Sequence, residues 1–204
     1  MDEEYLIQSA QKGDLDTFNR LVLAYQQQAY NLALRMLGDD DGAQDATQQS
    51  FISAYEKIRT FRGGSFRAWI MRIVANNCYD ELRRLKRNPT TELTPVITDS
   101  GEEMEEPEWL ADSSSPSPEE HYEQKELEAA IQGCINALPE EFRTVVVLVD
   151  LQGMDYREAA EVINSPLGTV RSRLARARQR LQDCLRGTRE LLPEKFRLNN
   201  ESRP

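Results

Sequence analysis

The arginines between Val170 and Leu185 have the side-chain type and the spacing that nucleic-acid recognition requires. Apolar residues of this segment recur at spacings of four and three, which places them on one stripe of a helix. Short polar groups and one arginine point away from that stripe, and further arginines flank its edges. Guanidinium groups can hold phosphates while central side chains reach base edges in the major groove. The candidate contacts are Arg171, Ser172, Arg173, Arg176, Arg178 and Gln179.

A preceding helix is predicted to position this DNA-reading helix. It opens at Asp155, whose carboxylate can accept from free backbone N–H groups, while Glu158 can reach back to complete a capping box. A turn at Asn164 and Ser165 follows, and Pro166 suits the first position of the next helix because it lacks an N–H. A row of arginines alone is more typical of a solvated helix face. The capped helix and the short turn favour DNA binding instead.

A glycine pair with aromatic and basic neighbours marks a second candidate site, in the first half of the chain. Gly63 and Gly64 interrupt the helical pattern and predict a loop, with Phe61 and Phe66 at its edges. Aromatic rings beside arginines can stack exposed bases and neutralise the strand that carries them. Core packing is the alternative role for such rings, and it is the better interpretation for Trp69 and the aliphatic residues that follow.

Periodic apolar residues predict three helices ahead of this loop. The first two lie within residues 3 to 37 and are separated at Gly13 and Asp14, and the second of them ends at Gly38. The third follows the aspartates at 39 to 41, whose charges favour a helix amino terminus. Its polar face is typical of a solvated surface, and the pattern alone leaves a partner-binding role open. That face contains Gln44, Asp45, Gln48, Gln49 and Ser53.

Acidic residues are concentrated between the two halves of the chain. The 204 residues carry a net charge of −10, and residues 90–126 hold 12 acidic side chains against one basic. The flanking parts are close to neutral, so the overall charge does not exclude DNA binding by a local basic face. Residues 90–126 also lack periodicity, which predicts a flexible linker. We therefore expect an all-α chain with two helical domains, 1–89 and 127–186, joined by this linker and followed by a tail, 187–204.

The cysteine and histidine content predicts neither a metal site nor a cofactor. Cys78, Cys134 and Cys184 are far apart in the sequence, and the single histidine, His121, lies in the acidic segment. We expect these cysteines to be small, partly buried residues rather than zinc ligands or members of a disulfide. The amino terminus has no apolar stretch of signal length, and no aliphatic run is long enough to span a bilayer. A cytoplasmic protein is expected.

Two segments of the chain resemble the extracytoplasmic-function branch of the bacterial sigma-70 family. They are DATQQSFISAYEKIRTFRGGSFRAWIMRIVANNCYDELRR, residues 45–84, and LPEEFRTVVVLVDLQGMDYREAAEVINSPLGTVRSRLARARQRL, residues 138–181. The resemblance implies a transcription initiation factor with sigma region 2 in residues 1–89 and region 4 in residues 127–186. It implies core RNA polymerase and promoter DNA as partners, and an anti-sigma factor as a further one. The helix near 166–180 would read the minus-35 element.

The resemblance also assigns roles to the first domain. Asp45, Gln48 and Gln49 match the surface that grips the clamp helices of the largest polymerase subunit, although relatives often have Glu where this chain has Gln49. The loop from Arg62 to Phe66, a residue shorter than in many relatives, matches the part that captures a flipped base of the minus-10 element. The candidate minus-10 contacts are Arg62, Ser65, Phe66, Arg67, Asn76, Arg83 and Arg84. The acidic linker would suit the positively charged channels of the polymerase.

Two other functions fit parts of the pattern. A stand-alone DNA-binding regulator would use residues 127–186 alone, and a helical adaptor would bind protein only. The aromatic and basic loop argues against the regulator, because a repressor that binds only duplex DNA does not need it. An enzyme fits least, since the chain has one histidine and no phosphate-binding glycine loop.

Overall fold

Every regular element in the described part of the chain is helical, which confirms the all-α prediction. The computed structural model describes residues 3–87 and 118–187. The N-terminal domain consists of α1 (Glu3–Gln11), α2 (Leu15–Leu37), α3 (Asp40–Lys57) and α4 (Phe66–Arg87). The C-terminal domain consists of α5 (Pro118–Asn136), α6 (Glu140–Val146), α7 (Tyr156–Val162) and α8 (Leu167–Gly187). Most of the acidic linker, Pro89 and the tail beyond Gly187 lie outside the described residues.

Helix ends in the N-terminal domain follow the capping residues of the sequence. The Asp14 carboxylate accepts from the backbone N–H groups of Asp16 and Thr17 at the start of α2. Gly38 ends that helix with φ 80°, a left-handed conformation in which its N–H donates to the Leu34 carbonyl. Asp39 caps α3, so this helix begins within the run of aspartates.

Small residues on α3 bring three helices of the N-terminal domain close together. Ala43 and Ala54 are fully buried there, in the same apolar core as Leu32 of α2 and Met71 of α4, and α3 packs against both of these helices. One polar contact crosses this core: the Asn77 side-chain N–H donates to the Ser50 hydroxyl over 2.9 Å. Ser50 also donates to the Ala46 carbonyl, so this buried hydroxyl is satisfied as both donor and acceptor. The pairing fixes the rotation of α3 relative to α4.

The C-terminal domain is built around the aliphatic run that follows α6. Val145 to Leu148 are all buried, and the chain passes from α6 into a π-helical turn, Val147–Leu151. The stripe predicted for α8 is confirmed, because Val170, Leu174 and Ala177 are buried against this run and Leu181 is partly buried. Helix α8 is therefore docked by one face and leaves the opposite face exposed.

The two domains pack against each other and share one continuous apolar core. Arg143 of α6 is 8% exposed and donates to the carbonyls of Met36, Asn136 and Leu138, so it joins the end of α2 to the C-terminal domain. Tyr79 and Thr144 share a hydrogen bond of 2.6 Å across the same boundary. Periodicity did not predict this closed arrangement, because both the shared core and these hydrogen bonds join residues that are far apart in the sequence.

The structure contradicts the prediction for two of the three cysteines. Cys134 of α5 and Cys184 of α8 form a disulfide, with 5.7 Å between their Cα atoms. The sequence did not predict this disulfide, because the two cysteines are 50 residues apart and are brought together only by the packing of α5 on α8. Cys78 is a buried free thiol, as expected, and burial raises its pKa to about 12.

None of the described helices combines the length and the apolar character needed to cross a membrane.

Candidate nucleic-acid interface

The two-helix unit of α7 and α8 has the local structure that the sequence predicts. The Asp155 carboxylate accepts from the N–H of Arg157 over 2.7 Å and of Glu158 over 2.9 Å, and the Glu158 side chain accepts from the Asp155 N–H. These backbone hydrogen bonds, that of Glu158 first, hold the pKa of Asp155 below its usual value. Asn164 makes the turn with φ 47°, and α8 begins after Pro166.

The exposed face of α8 offers a subset of the predicted minus-35 contacts to solvent. Arg171, Ser172, Arg176 and Gln179 are all exposed. Ser172 donates to the Thr169 carbonyl one turn earlier, and Gln179 donates to the carboxylate of Asp183 on the same helix. The guanidinium groups of Arg171 and Arg176 make no ion pair with any described carboxylate.

The other two predicted arginines of α8 are held by acidic side chains of the same domain. Arg173 lies 2.7 Å from a carboxylate oxygen of Glu141. Arg178 donates two hydrogen bonds to Asp150, at 2.9 and 2.6 Å, and this pairing raises the pKa of Arg178. Each carboxylate cancels much of the positive charge that a phosphate would meet. The two arginines therefore lie beside the exposed face of α8, with less charge available for DNA.

The loop between α3 and α4 is fixed by a side chain that sequence reasoning missed. Gln11, at the end of α1, donates to the carbonyls of Ile58 and Phe61 over 3.1 and 2.9 Å. Gly63 and Gly64 have φ of 97° and 91°, which favours glycine at both positions. A glutamine at the end of a short helix carries no sequence signal for a partner 50 residues away.

Phe66 belongs to the core and not to the loop surface. Its side chain is 2% exposed, and its ring lies 5.4 Å from the rings of Phe61 and Trp69 and 5.7 Å from that of Tyr25. The prediction that Phe66 contacts a flipped base does not fit this placement, because a ring enclosed by other rings has no free face for stacking. Arg62 is exposed at the loop and donates to the Arg59 carbonyl.

Ser65 and Arg67 of the predicted minus-10 set face the C-terminal domain. The Ser65 hydroxyl donates to Glu158 over 3.0 Å and accepts from the Ala68 N–H at the start of α4. Arg67 donates to the Gln28 side chain and to the Gln152 carbonyl over 2.9 and 2.7 Å. Its remaining nitrogen lies 3.6 Å from the Glu158 carboxylate. In this closed arrangement both side chains are occupied by protein partners.

Three predicted minus-10 residues lie farther along α4. Asn76 is exposed, whereas Arg83 and Arg84 pair with acids of their own helix, Asp80 at 3.1 Å and Glu81 at 2.5 Å. Both arginines remain about two-thirds exposed, so these pairs are weak in water and can exchange for phosphate contacts. Helix α4 thus presents a polar and basic edge to solvent, on the C-terminal side of Ser65 and Arg67.

The predicted polymerase-binding residues occupy the exposed face of α3. Asp45, Gln48 and Gln49 are all exposed. Gln48 lines an apolar groove between α2 and α3, together with Phe51 and Ile52. Asp45 and Gln49 line the opposite side, toward α4. The three side chains therefore lie on the ridge between two grooves rather than inside one.

Among residues 3–87 and 118–187, no group of three or more histidine, cysteine or acidic side chains could hold a metal ion.

Comparisons with known proteins identify the two domains. Residues 21–88 match sigma-70 region 2, and residues 128–181 match sigma-70 region 4. The chain is 36% identical to the RNA polymerase sigma-H factor of Pseudomonas aeruginosa over 184 residues, which cover 90% of this chain and 93% of that protein. It is 34% identical to the ECF RNA polymerase sigma-E factor of Haemophilus influenzae, over 90% of this chain and 95% of that protein.

Solved structures have the same fold. CnrH, determined in complex with the cytosolic domain of CnrY, matches with a TM-score of 0.64 at 24% identity, over 90% of this chain and 96% of CnrH. The sigma factor RpoE of Bartonella quintana, determined with the anti-sigma factor NepR, matches with a TM-score of 0.60 at 23% identity, over 82% and 96% of the two chains. With its regions 2 and 4 and its close relatives, this chain belongs to the sigma-70 family, as an RNA polymerase sigma factor of the extracytoplasmic-function group.

Proposed function

We propose that this sigma factor reads the minus-35 duplex with α8 and holds the melted minus-10 strand along α4, and that the free chain covers part of the second surface. The observation that carries the proposal is the set of contacts made by Arg67. This residue is bound to Gln152 and Glu158 of the C-terminal domain, and only about one-quarter of its side chain is exposed. A DNA strand could use Arg67 only after the domains separate.

For the minus-35 element, we assign base reading to Arg176 with Ser172 and Gln179. They lie on the exposed face of α8, and the bidentate geometry of a guanidinium suits guanine. Arg171 would neutralise a phosphate at the edge of this face. We assign Arg173 and Arg178 a supporting role, because Glu141 and Asp150 hold them while leaving further N–H donors for a phosphate.

For the minus-10 element, the assignment is to Arg62, Ser65, Arg67 and Asn76, with Arg83 and Arg84 as phosphate contacts. Phe66 is left out because it is enclosed in the core. Its part is to hold the loop from beneath, beside Phe61 and Trp69. Unstacking a base costs a few kcal/mol, and favourable contacts between the captured strand and the neighbouring cationic side chains must offset this free energy.

The polymerase would bind the ridge of Asp45, Gln48 and Gln49 on α3. The adjacent groove exposes Leu15, Ile52 and Tyr55, which are 53, 47 and 40% accessible, and such apolar exposure is typical of an interaction surface. An anti-sigma factor that covered the same face would compete with the polymerase. The structural neighbour RpoE of Bartonella quintana was determined with the anti-sigma factor NepR, which supports such a partner for this chain as well.

No step in this proposal needs a catalytic group, since recruitment and strand capture are binding events. It differs from a stand-alone regulator in requiring core polymerase. It differs from an adaptor in requiring the exposed arginines of α8. Action in the cytoplasm follows from the proposal, because polymerase and promoter DNA are found there.

The test is comigration of the purified chain with bacterial core RNA polymerase on a sizing column. We expect the wild type to comigrate and the D45A/Q48A double variant to elute separately. The matched control is Asp41→Ala, which removes an exposed acid from the first turn of the same helix, outside the ridge. Loss of comigration in the control, or comigration of the double variant, would reject the polymerase-binding surface. Failure of the wild type to bind core while α8 still bound duplex would favour the stand-alone regulator.

A further inference from the structure

The disulfide between Cys134 and Cys184 joins the helix that enters the C-terminal domain to the end of the helix proposed to read DNA. Cys134 is 3% exposed and Cys184 is half-buried. Their Cα atoms are 5.7 Å apart, within the range of about 4.4–6.8 Å in which a disulfide forms without backbone movement. Nothing in the proposed contacts with DNA or polymerase uses either side chain.

Helix α5 has few other attachments to its own domain. Between residues 124 and 136, Cys134 and Ile135 are the only buried side chains, and the other residues are half-buried or exposed. The far end of α8 is similar, because residues 178–187 include no fully buried side chain and only Leu181, Cys184 and Leu185 among them are half-buried. The cysteine pair therefore joins two helix ends that have few other buried side chains.

Helix α5 also connects the two domains. Gln132, two residues before Cys134, accepts from the Arg35 guanidinium of α2 over 2.7 Å. Its own side-chain N–H points at the Arg35 carbonyl over 3.4 Å. An α5 that left α8 would take this contact with it.

We propose that Cys134 and Cys184 form a reversible thiol–disulfide site that fastens α5 to α8 when oxidised and releases it when reduced. The inference rests on the assignment as a sigma factor, because a protein that works beside the chromosome meets a reducing pool in which disulfides are usually transient and redox-sensing. The oxidant class is a low-molecular-weight disulfide such as oxidised glutathione.

The exchange proceeds in two balanced steps. The more accessible Cys184 thiolate attacks one sulfur of the small disulfide, forms a mixed disulfide and expels one small thiolate. The Cys134 thiolate then attacks the Cys184 sulfur, closes the intramolecular bond and expels the second small thiolate. Two protein thiols are oxidised and one small disulfide is reduced, and the two protons that the cysteines release pass through solvent to the two expelled thiolates, which become thiols. A reducing dithiol reverses both steps.

Cys78 provides an internal control for measurements on the whole chain. It is fully buried in the N-terminal domain, on α4, and desolvation raises its pKa to about 12. The neutral, inaccessible thiol will react slowly with alkylating reagents. Labelling of the folded protein therefore reports on Cys184, the accessible member of the pair.

The experiment is a titration of the full chain with reduced and oxidised glutathione, followed by maleimide labelling and intact mass measurement. We expect the oxidised form to lose two hydrogen masses and the maleimide reactivity of Cys184. We also expect it to melt roughly 5–10 °C higher than the reduced form and to exchange amide hydrogens more slowly in residues 124–136. In C78A this difference should persist, whereas C134S and C184S should each remove it.

Two results would overturn the proposal. One is a wild-type chain that keeps its reduced mass and a reactive Cys184 in oxidised glutathione while it remains folded. The other is a disulfide that forms but leaves the melting temperature and the exchange in α5 unchanged. Neither readout involves polymerase or DNA, so the outcome is independent of the promoter-binding assignments.

Discussion

The Arg67 guanidinium in region 2 lies 3.6 Å from the Glu158 carboxylate in region 4. Glu158 also accepts from Ser65 and closes the capping box of α7, so one carboxylate connects helix capping to domain contact. Both partners of the ion pair are about one-quarter exposed. The pair is therefore partly screened by water, and its contribution is modest.

Replacing Glu158 with glutamine should favour the open arrangement of the free protein. The amide keeps a hydrogen-bond acceptor for Ser65 but removes the charge that faces Arg67. Because the pair is partly exposed, we expect a gain of about two- to fivefold in the affinity of free protein for single-stranded DNA. Fluorescence anisotropy with a labelled oligonucleotide measures this affinity, and small-angle scattering reports whether the domains have separated.

The control for this variant is Glu161→Gln. Glu161 is an exposed acid on the same helix, and it contacts Arg72 through its backbone carbonyl rather than its carboxylate. The control removes the same charge without touching the Arg67 contact. Equal gains in E158Q and E161Q would mean that net charge, and not domain opening, explains the effect.

Much of the C-terminal domain could be predicted from the sequence because its signals are local. The capping box at Asp155 and the apolar stripe of α8 involve residues within a few turns of each other, and both are present. The fit of Phe66 into an aromatic cluster was not predictable, because it depends on Tyr25 of another helix. An aromatic ring beside arginines gives the same sequence pattern whether it faces a base or the core.

Contacts between the domains could not be predicted for a related reason. Arg143 lies in an apolar segment, and its carbonyl partner at Met36 is 107 residues away. The disulfide joins helices whose adjacency no periodicity encodes. Family resemblance supplied the two regions and their order. It did not predict which arginines of α8 form ion pairs, because Glu141 and Asp150 reach them only through the packing of other segments on α8.

Two arginines of α8 should differ in their effect on minus-35 binding. Arg176 is exposed and makes no ion pair with a described residue, whereas Arg178 is paired with Asp150. R176A should cost about 1–3 kcal/mol of duplex affinity and relax sequence preference, as expected for a lost base contact. R178A should cost less, because Asp150 already offsets its charge. The affinities are measured on DNA duplexes that the wild-type holoenzyme has enriched from a random library.

The two variants remove the same charge from positions two residues apart on one helix, so they serve as matched controls. If both weakened binding equally on every sequence, with equal salt dependence, Arg176 would be a phosphate contact and not a base reader. A larger loss for R178A would mean that the Asp150 pair opens in the complex.

The cap of α7 should make the stability of region 4 depend on acid. Hydrogen bonds from the N–H groups of Glu158 and Arg157 lower the pKa of Asp155 relative to its value of 3.8 in a model compound. A carboxyl group whose folded pKa is depressed stabilises the fold above its unfolded pKa, and that contribution is lost as the pH falls through the folded value. We expect it to be complete at neutral pH and to decline below about pH 4.

Replacement of Asp155 tests this expectation by thermal unfolding. D155A should lower the melting temperature by roughly 5 °C at pH 7, because two backbone N–H groups lose their acceptor. D155N keeps an acceptor but binds no proton in this range, so the difference between wild type and D155N should shrink as the solution is acidified. A difference that grew with acid would contradict the direction of the pKa shift.

Arg143 should be the side chain whose loss most weakens the joint between regions 2 and 4. It is 8% exposed, and its guanidinium donates to Met36 at the end of α2 as well as to Asn136 and Leu138. R143A leaves these carbonyls without their donor, and we expect a loss of about 2–4 kcal/mol in the free energy of unfolding. Burial lowers the pKa of Arg143, but the group remains protonated at neutral pH.

Urea unfolding followed by circular dichroism measures this loss. The control is Arg186→Ala, which removes an exposed arginine at the end of α8 and should change the free energy of unfolding by less than about 0.5 kcal/mol. If R143A unfolded at the wild-type midpoint, the carbonyls would have found water instead, and the joint would depend on the shared apolar core alone.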